Sequence, residues 1–164
     1  MASLKEGLKM GSKSVKSFEG FFPLLAHIAT PEQAKRLVGH AMDPGEFFAY
    51  HPMSTVATDE TVFKLDCWRG PAWNSMTYWI MRALSDYGFH SEAAAIGWKA
   101  LERTDEAFRK YGHIFEFYNS VGPEIESLGR KGSPRGPFRD YLGHAPLIAM
   151  FQLCQKVRKI DSNK

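Results

Sequence analysis

Residues 67–76 read CWRGPAWNSM, a stretch whose side chains carry recognition chemistry. Trp68 and Trp73 bracket Arg69, Gly70 and Pro71. Indole faces stack on the apolar faces of sugars and on cations. A fixed guanidinium donates several hydrogen bonds in a planar fork, which suits hydroxyls or carboxylates. Gly70 and Pro71 then set the backbone into a helix start, whose free N–H groups favour anions or hydroxyl oxygens. A competing reading packs both tryptophans in the core and lets Arg69 bridge a loop carboxylate such as Asp66. On composition alone the packing reading has the stronger claim.

A second cluster is HIFEFYNSVG, where Glu116 sits among Ile114, Phe115, Phe117 and Tyr118. Period-two alternation sends Glu116 to the face opposite Phe115 and Phe117. A carboxylate with aromatic walls loses solvation and its pKa rises, which suits a general base that activates water. A surface glutamate between two buried aromatics fits the same alternation. A third cluster, PRGPFRDYLGH, offers Arg135, Arg139 and Asp140 as an ion-pair network closing a loop, with Tyr141 beside it. Glycoside hydrolysis needs two carboxylates flanking one bond. Glu116 is the first choice for one. Asp59, Glu60, Asp66, Glu124, Glu126 and Asp140 remain open for the other.

The elements that must position these groups are helical. TPEQAKRLVGHAM opens with Thr30 as N-cap, Pro31 at the first helical position and Gln33 completing a capping box, and Asp43–Pro44–Gly45 ends it. From Pro71, Trp73, Met76, Thr77, Ile80, Met81 and Leu84 recur at helical steps, and Gly88 is the C′ residue. Ser91 caps a further helix to about Lys110, with Ala94, Ala95, Trp98, Leu101 and Phe108 on its apolar face. The short joint implies an antiparallel pair. A last helix runs from Gly143 to Val157. Residues 46–70 and 111–143 read as long irregular loops, which are often functional. Residues 1–17 read as a loose arm and 18–160 as one domain.

At 164 residues, 44% hydrophobic and 13% aromatic, the chain has material for one real core. A net charge of +3 is too weak for a nucleic-acid footprint. No apolar run reaches membrane-spanning length, and no secretory leader is evident. Two distant cysteines, Cys67 and Cys154, and scattered histidines offer no metal-ligand spacing. The reading is a soluble cytoplasmic chain with no nucleic acid, membrane, metal or cofactor partner.

Taken in order, GFFPLLA, PEQAKRLVGHAMDPGEFF, WRGPAW, ALSDYGFHSEA, FEFYNSVG and RDYLGHAPLIAMF resemble the C-terminal part of the (α/α)6-barrel glycosidases. Within that group the motifs resemble glycoside hydrolase family 63, with its mannosylglycerate-hydrolase-like members, more than the trehalases. The resemblance spans residues 21–151. It implies an all-α fold, a partial (α/α) toroid of antiparallel helix pairs with long functional loops. It implies that Glu116 is the general base of an inverting mechanism and that Trp68, Arg69, Gly70 and Trp73 line the sugar pocket. Tyr118 and Asn119 would sit beside the base, and Asp140 and Tyr141 would close the site.

The departures carry equal weight. The family's general acid is an aspartate upstream of the stretch resembling GFFPLLA, and no position here matches it. Cys67 stands where the family has Tyr, and His144 stands where it has Trp. A base without an acid leaves the departing oxygen unprotonated, and each such group is worth about 10²–10⁴-fold. The expectation is therefore a glycosidase-like segment, weakly active or inactive alone, that takes a small sugar or oligosaccharide. A homo-oligomer or partner chain would complete the barrel, with Trp79, Ile80, Leu147 or Phe151 in the contact. The alternatives are a non-catalytic carbohydrate-binding or helical self-assembly module, and a helical interaction domain whose aromatics are only core.

Overall fold

The computed structural model describes residues 9–10, 13–141 and 146–161. A two-residue antiparallel ladder, β1 (Lys9–Met10) with β2 (Lys13–Ser14), precedes the helices α1 (Phe22–Leu25), α2 (Pro31–Ala41), α3 (Asn74–Asp86), α4 (His90–Tyr111) and α5 (Leu147–Asp161). The fold is all-α in its framework, a partial (α/α) toroid with long loops. The helix α3 packs on α4, and α4 on α5.

Local chemistry explains the boundaries. Thr30 Oγ1 accepts from the Gln33 N–H at 3.3 Å, and Gln33 Oε1 accepts from the Thr30 N–H at 2.8 Å, so α2 begins with the expected capping box. Gly88 takes φ 86° after α3 and Gly112 takes φ 74° after α4, values that cost a side chain but not glycine. Arg109 and Lys110 lie in the last turn of α4, where cations meet the negative end of the helix dipole.

Three boundaries differ from expectation. The helix after Pro71 begins only at Asn74, because Ala72 is engaged in backbone bridges to Ser54 and Tyr118 and runs extended. The helix α4 begins at His90 with Phe89 at the N-cap position, two residues before Ser91. Lys16 and Ser17, read as part of a loose arm, are buried. The Lys16 ammonium pairs with Glu46 and Asp59, and Ser17 bridges to Val56. The expected start of the last helix at Gly143 lies outside the described residues, as does His144.

Two apolar clusters result. The larger joins Phe21, Leu24, Leu37, Phe47, Met53, Ile80, Met81, Leu84, Ile96, Met150 and Cys154. Ile80, expected in an intermolecular contact, is thus in the chain's own core, and Leu147 packs against it. The smaller joins Cys67, Trp73, Ala107, Phe115, Phe117, Tyr118, Ile125 and Leu128. It is made largely by the two loops, so they are packed structure rather than slack chain.

The helix α4 lies between α3 and α5 on a stripe of small residues: Ala93, Gly97, Ala100, Thr104 and Ala107. The larger Phe108, expected on the buried face, is exposed. A Cβ built at Gly97 would stand 2.3 Å from Met81 Cε and 2.5 Å from Cys154 Sγ. The absence of a side chain there sets how closely three helices approach. Gly97→Val is expected to lower stability by about 1–3 kcal/mol, the usual cost of overpacking, with chemical denaturation as the measurement. An unchanged midpoint would show that the seam has slack.

Candidate active site

The tryptophan corner is folded by its own backbone. Cys67 adopts φ 45°, a left-handed kink, and its N–H donates to the Gly129 carbonyl at 3.1 Å. The Trp73 Nε1–H donates to the Cys67 carbonyl at 3.3 Å, which folds the second indole back over the first. The two indoles stack with centroids 3.9 Å apart and planes 8° apart. Arg69 is therefore not held between them. It is exposed, and its side chain makes no hydrogen bond or ion pair among the described residues, so the expected bridge to Asp66 is absent. Asp66 Oδ2 instead accepts the Gly132 N–H at 3.1 Å. Trp73 is buried, whereas Trp68 is 45% exposed with Phe18 at 6.1 Å.

Gly70 is fixed by close approach. Its N–H donates to Thr55 Oγ1 at 2.9 Å, and its carbonyl accepts from Ser120 Oγ at 2.9 Å. A Cβ there would meet the Lys64 carbonyl oxygen at 2.4 Å, which is backbone and cannot yield. Both polar groups of Gly70 are thus committed within the chain, and its part in a pocket is one of shape.

The segment bearing Glu116 is extended and paired on both sides. Ala72 and Tyr118 exchange two backbone hydrogen bonds of 2.9 Å, and the Glu116 N–H donates to the Phe138 carbonyl at 3.0 Å. Covered on both sides, the run does not alternate: Phe115, Glu116, Phe117 and Tyr118 are all buried. Glu116, 8% exposed, is not the surface glutamate that alternation allowed. Its carboxylate pairs with the Arg130 guanidinium and accepts the Phe138 N–H at 3.3 Å. Arg130 lies against the rings of Phe117 and Phe138, 5.4 and 4.3 Å from their centroids. A buried carboxylate is sustained by such a charge-assisted partner. Nothing in the sequence marks Arg130, which reads as one more basic residue in a glycine-rich run.

The corner and the acid are neighbours. Trp73 lies 5.1 Å from Phe117, and Gly129, which holds Cys67, precedes the arginine that holds Glu116. Burial pushes the Cys67 thiol up, and the nearby Arg130 cation opposes that shift.

Tyr118 and Asn119 point elsewhere. The Tyr118 ring stacks on His51 at 4.8 Å and lines, with Asn119, a separate hollow of about 90 Å³ that also contains Tyr50, Arg103 and Glu106. The Tyr118 hydroxyl accepts the Phe115 N–H at 3.0 Å, closing a tight loop around Glu116. Asn119 donates to the Glu124 carbonyl and to Ser127 Oγ, so it fastens the following turn. Asp140, at φ 55°, is exposed and pairs with His113 at 3.1 Å rather than with Arg135 or Arg139. The Tyr141 N–H donates to the Ile114 carbonyl.

Among the described residues, none of the other candidate carboxylates touches Glu116. Asp59 and Glu60 bind Lys16, Glu126 accepts the Tyr111 hydroxyl, and Glu124 lies by Gly122.

Comparison with known proteins bears on the family and the fold. The profile of the mannosylglycerate hydrolase MGH1-like glycoside hydrolase domain matches residues 9–123. Two curated relatives from Selaginella moellendorffii, the mannosylglycerate hydrolases MGH1 and MGH2, are each 32% identical over 102 residues, 60% of this chain. The chain spans only 19% of their length. Among solved structures, the family 63 mannosylglycerate hydrolase of Thermus thermophilus in complex with glucose aligns at TM-score 0.59 and 24% identity. The alignment covers 87% of this chain and 31% of that one. The same enzyme with Tris and D-glycerate aligns at TM-score 0.58 and 23% identity, over 87% and 30% of the two chains. These structural likenesses speak to the fold.

Behind the acid, burial holds His51 down to about 3 and pushes Tyr118 up to about 12. Above the ordinary histidine value both folded and unfolded chains keep His51 neutral. As pH falls from about 6.5 toward 3 only the unfolded chain takes up the proton, so stability is lost through that window. The loss is expected to be on the order of 2 kcal/mol by pH 5. His51→Phe, which keeps a ring on Tyr118, should flatten the dependence in denaturant unfolding at pH 5 and 7.5. An equal slope in both proteins would remove His51 as its source.

Proposed function

The chain belongs to the mannosylglycerate hydrolase MGH1-like glycoside hydrolase domain family, and we propose that it carries the general base and sugar-pocket loop of an inverting O-glycosyl hydrolase. Glu116 takes a proton from water, which attacks the anomeric carbon from the face opposite the leaving group. The departing oxygen needs a proton from a second carboxyl, separated from the base by about 6.5–9.5 Å to leave room for that water. No residue of this chain matches the family's acid, so the chain alone is weakly active or inactive. Carboxylate chemistry of this kind requires no metal or organic cofactor.

The observation that carries the reading is the one buried carboxylate among the described residues, beside the paired indoles, with Trp73 and Phe117 in contact between them. Trp68 presents an exposed indole edge for a sugar, and Arg69 supplies free donors beside it. Trp73 and Gly70 shape the wall. Tyr118 and Asn119 set the backbone on which Glu116 stands, and Asp140 and Tyr141 border the closing loop. The substrate class is a small sugar or oligosaccharide. Among the relatives, the names include mannosylglycerate, and solved complexes hold glucose or D-glycerate.

A second reading, a carbohydrate-binding or self-assembly module without turnover, is favoured by one observation: the Glu116 carboxylate is already occupied by Arg130 and the Phe138 N–H. Either reading includes a homo-oligomer or partner chain over Trp79 on α3 and Ile148 and Phe151 on α5, large apolar side chains left in solvent. Among the described residues, no helix is long and apolar enough to cross a membrane. A cytoplasmic location is part of the proposal.

Calorimetric titration with glucose, mannose, trehalose and glucosylglycerate is expected to show binding. Any hydrolysis of glucosylglycerate should fall about 10²–10⁴-fold in Glu116→Gln with binding retained. Unchanged hydrolysis would remove the base role, and absence of binding would leave the assembly reading. Sedimentation velocity should show concentration-dependent association that Phe151→Ser weakens. A compact monomer at high concentration would exclude the interface.

A further inference from the structure

Both groups that occupy the Glu116 carboxylate come from one segment. Arg130 supplies the guanidinium and Phe138 the N–H, and the Phe138 ring covers the guanidinium at 4.3 Å. Between them the chain turns at Lys131 and Gly132, with φ 52° and 76°, and it turns again at Asp140, with φ 55°. The stretch is anchored at its ends, by Gly129 on Leu65 and Cys67 and by Phe138 and Arg139 on Glu116 and Phe115, whereas in between Arg130 and Ser133 bond to each other through the backbone and Gly132 reaches Asp66.

The cover is thin. Phe138 is 59% exposed, so its outer face meets solvent while its inner face rests on Arg130. A cavity of about 280 Å³ is lined by Pro134, Gly136, Pro137 and Arg139 together with Tyr111 and Leu128. The hollow is half open to solvent, so the segment borders a groove rather than packing fully against the body. The Arg130 Nε finds no acceptor among the described residues, so the guanidinium is held chiefly by Glu116 and the two rings. Sparse packing, here in the middle of the stretch between its two anchored ends, marks the parts of a fold that open first.

We propose that residues 129–140 form a latch over the Oε2 side of Glu116, and that this oxygen becomes reachable only when Arg130 and Phe138 lift away together. The functional meaning rests on Glu116 being the base, but closure itself does not. In the closed state both contacts fall on Oε2, so that oxygen is withheld from water and sugar while Arg130 and Phe138 stay in place. Opening breaks the Arg130–Glu116 ion pair, the two hydrogen bonds between Phe138 and Glu116 and the Arg130–Phe117 ring contact, and leaves the Ala72–Tyr118 pairing intact.

The test is carboxyl labelling of the full chain with a water-soluble carbodiimide and glycine amide, followed by peptide mass spectrometry. The exposed Glu102 is the internal reference. Glu116 in the unaltered protein should label at least about tenfold more slowly than Glu102, the ratio that loss of one charge-assisted contact would erase. Arg130→Gln should raise the Glu116 rate about tenfold toward the reference and leave Glu102 unchanged. Circular dichroism reports whether that variant folds. If it does not, Phe138→Ala, which keeps every charge, decides: a faster Glu116 supports the latch and an unchanged one overturns it. Equal labelling of Glu116 and Glu102 in the unaltered protein also overturns it. Hydrolysis lost in Glu116→Gln with no change in labelling on unlatching would sink the latch and spare the base. The reverse pattern would do the opposite.

Discussion

Two backbone hydrogen bonds between Ala72 and Tyr118 hold the candidate site together. They join the residue just before α3 to the segment just after α4. The antiparallel pair α3 and α4 brings those ends to one end of the molecule, and the bridge then sets their register. Trp73 follows one partner and Phe117 precedes the other, so their contact is a consequence of that register. A slip of one residue would turn Glu116 away from Arg130 and put an aromatic ring in its place.

The bridge holds because the loops around it have a core of their own. Cys67, Phe115, Phe117, Ile125 and Leu128 bury one another against Ala107 on α4. Backbone polar groups in such a region need partners, and they find them in neighbouring loops: Thr55 and Ser120 on Gly70, Gly129 on Cys67, and Phe138 on Glu116. The helical framework therefore fixes where the loops start and end, while hydrogen bonds between loops fix what they present.

Much of the framework is legible in the sequence. Thr30 with Gln33 and the glycine after Tyr87 act through neighbours in sequence, so their effects can be read locally. The start of α3 is not, because Pro71 is a good helix opener, yet Ala72 is claimed by a partner far along the chain. The buried face of α4 escapes for a related reason. Hydrophobicity alone puts the large residues inside, but a helix pressed from two sides keeps small ones there.

The site is legible in outline only. The aromatic setting of Glu116 is visible, whereas its cation is not, since Arg130 lies in a glycine- and proline-rich run with no periodicity. Period two would put Tyr118 on the same face as Glu116, but the run does not alternate: Tyr118 stacks on His51, and its hydroxyl accepts the Phe115 N–H. Arg69 draws attention by standing between two tryptophans in sequence; in space the left-handed kink at Cys67 lets the rings meet without it.

The buried ammonium of Lys16 couples the amino-terminal stretch to this distant corner. It neutralises Glu46 and Asp59, which flank the segment carrying Thr55, and Thr55 in turn grips Gly70. Erasing that one cation leaves Glu46, 13% exposed, to His40 and returns Asp59, 47% exposed, to water, so the span that steadies the tryptophans loses one tie to the amino-terminal stretch. Engineering or cleavage near the beginning of the chain is thereby mechanically connected to ring placement more than fifty residues onward.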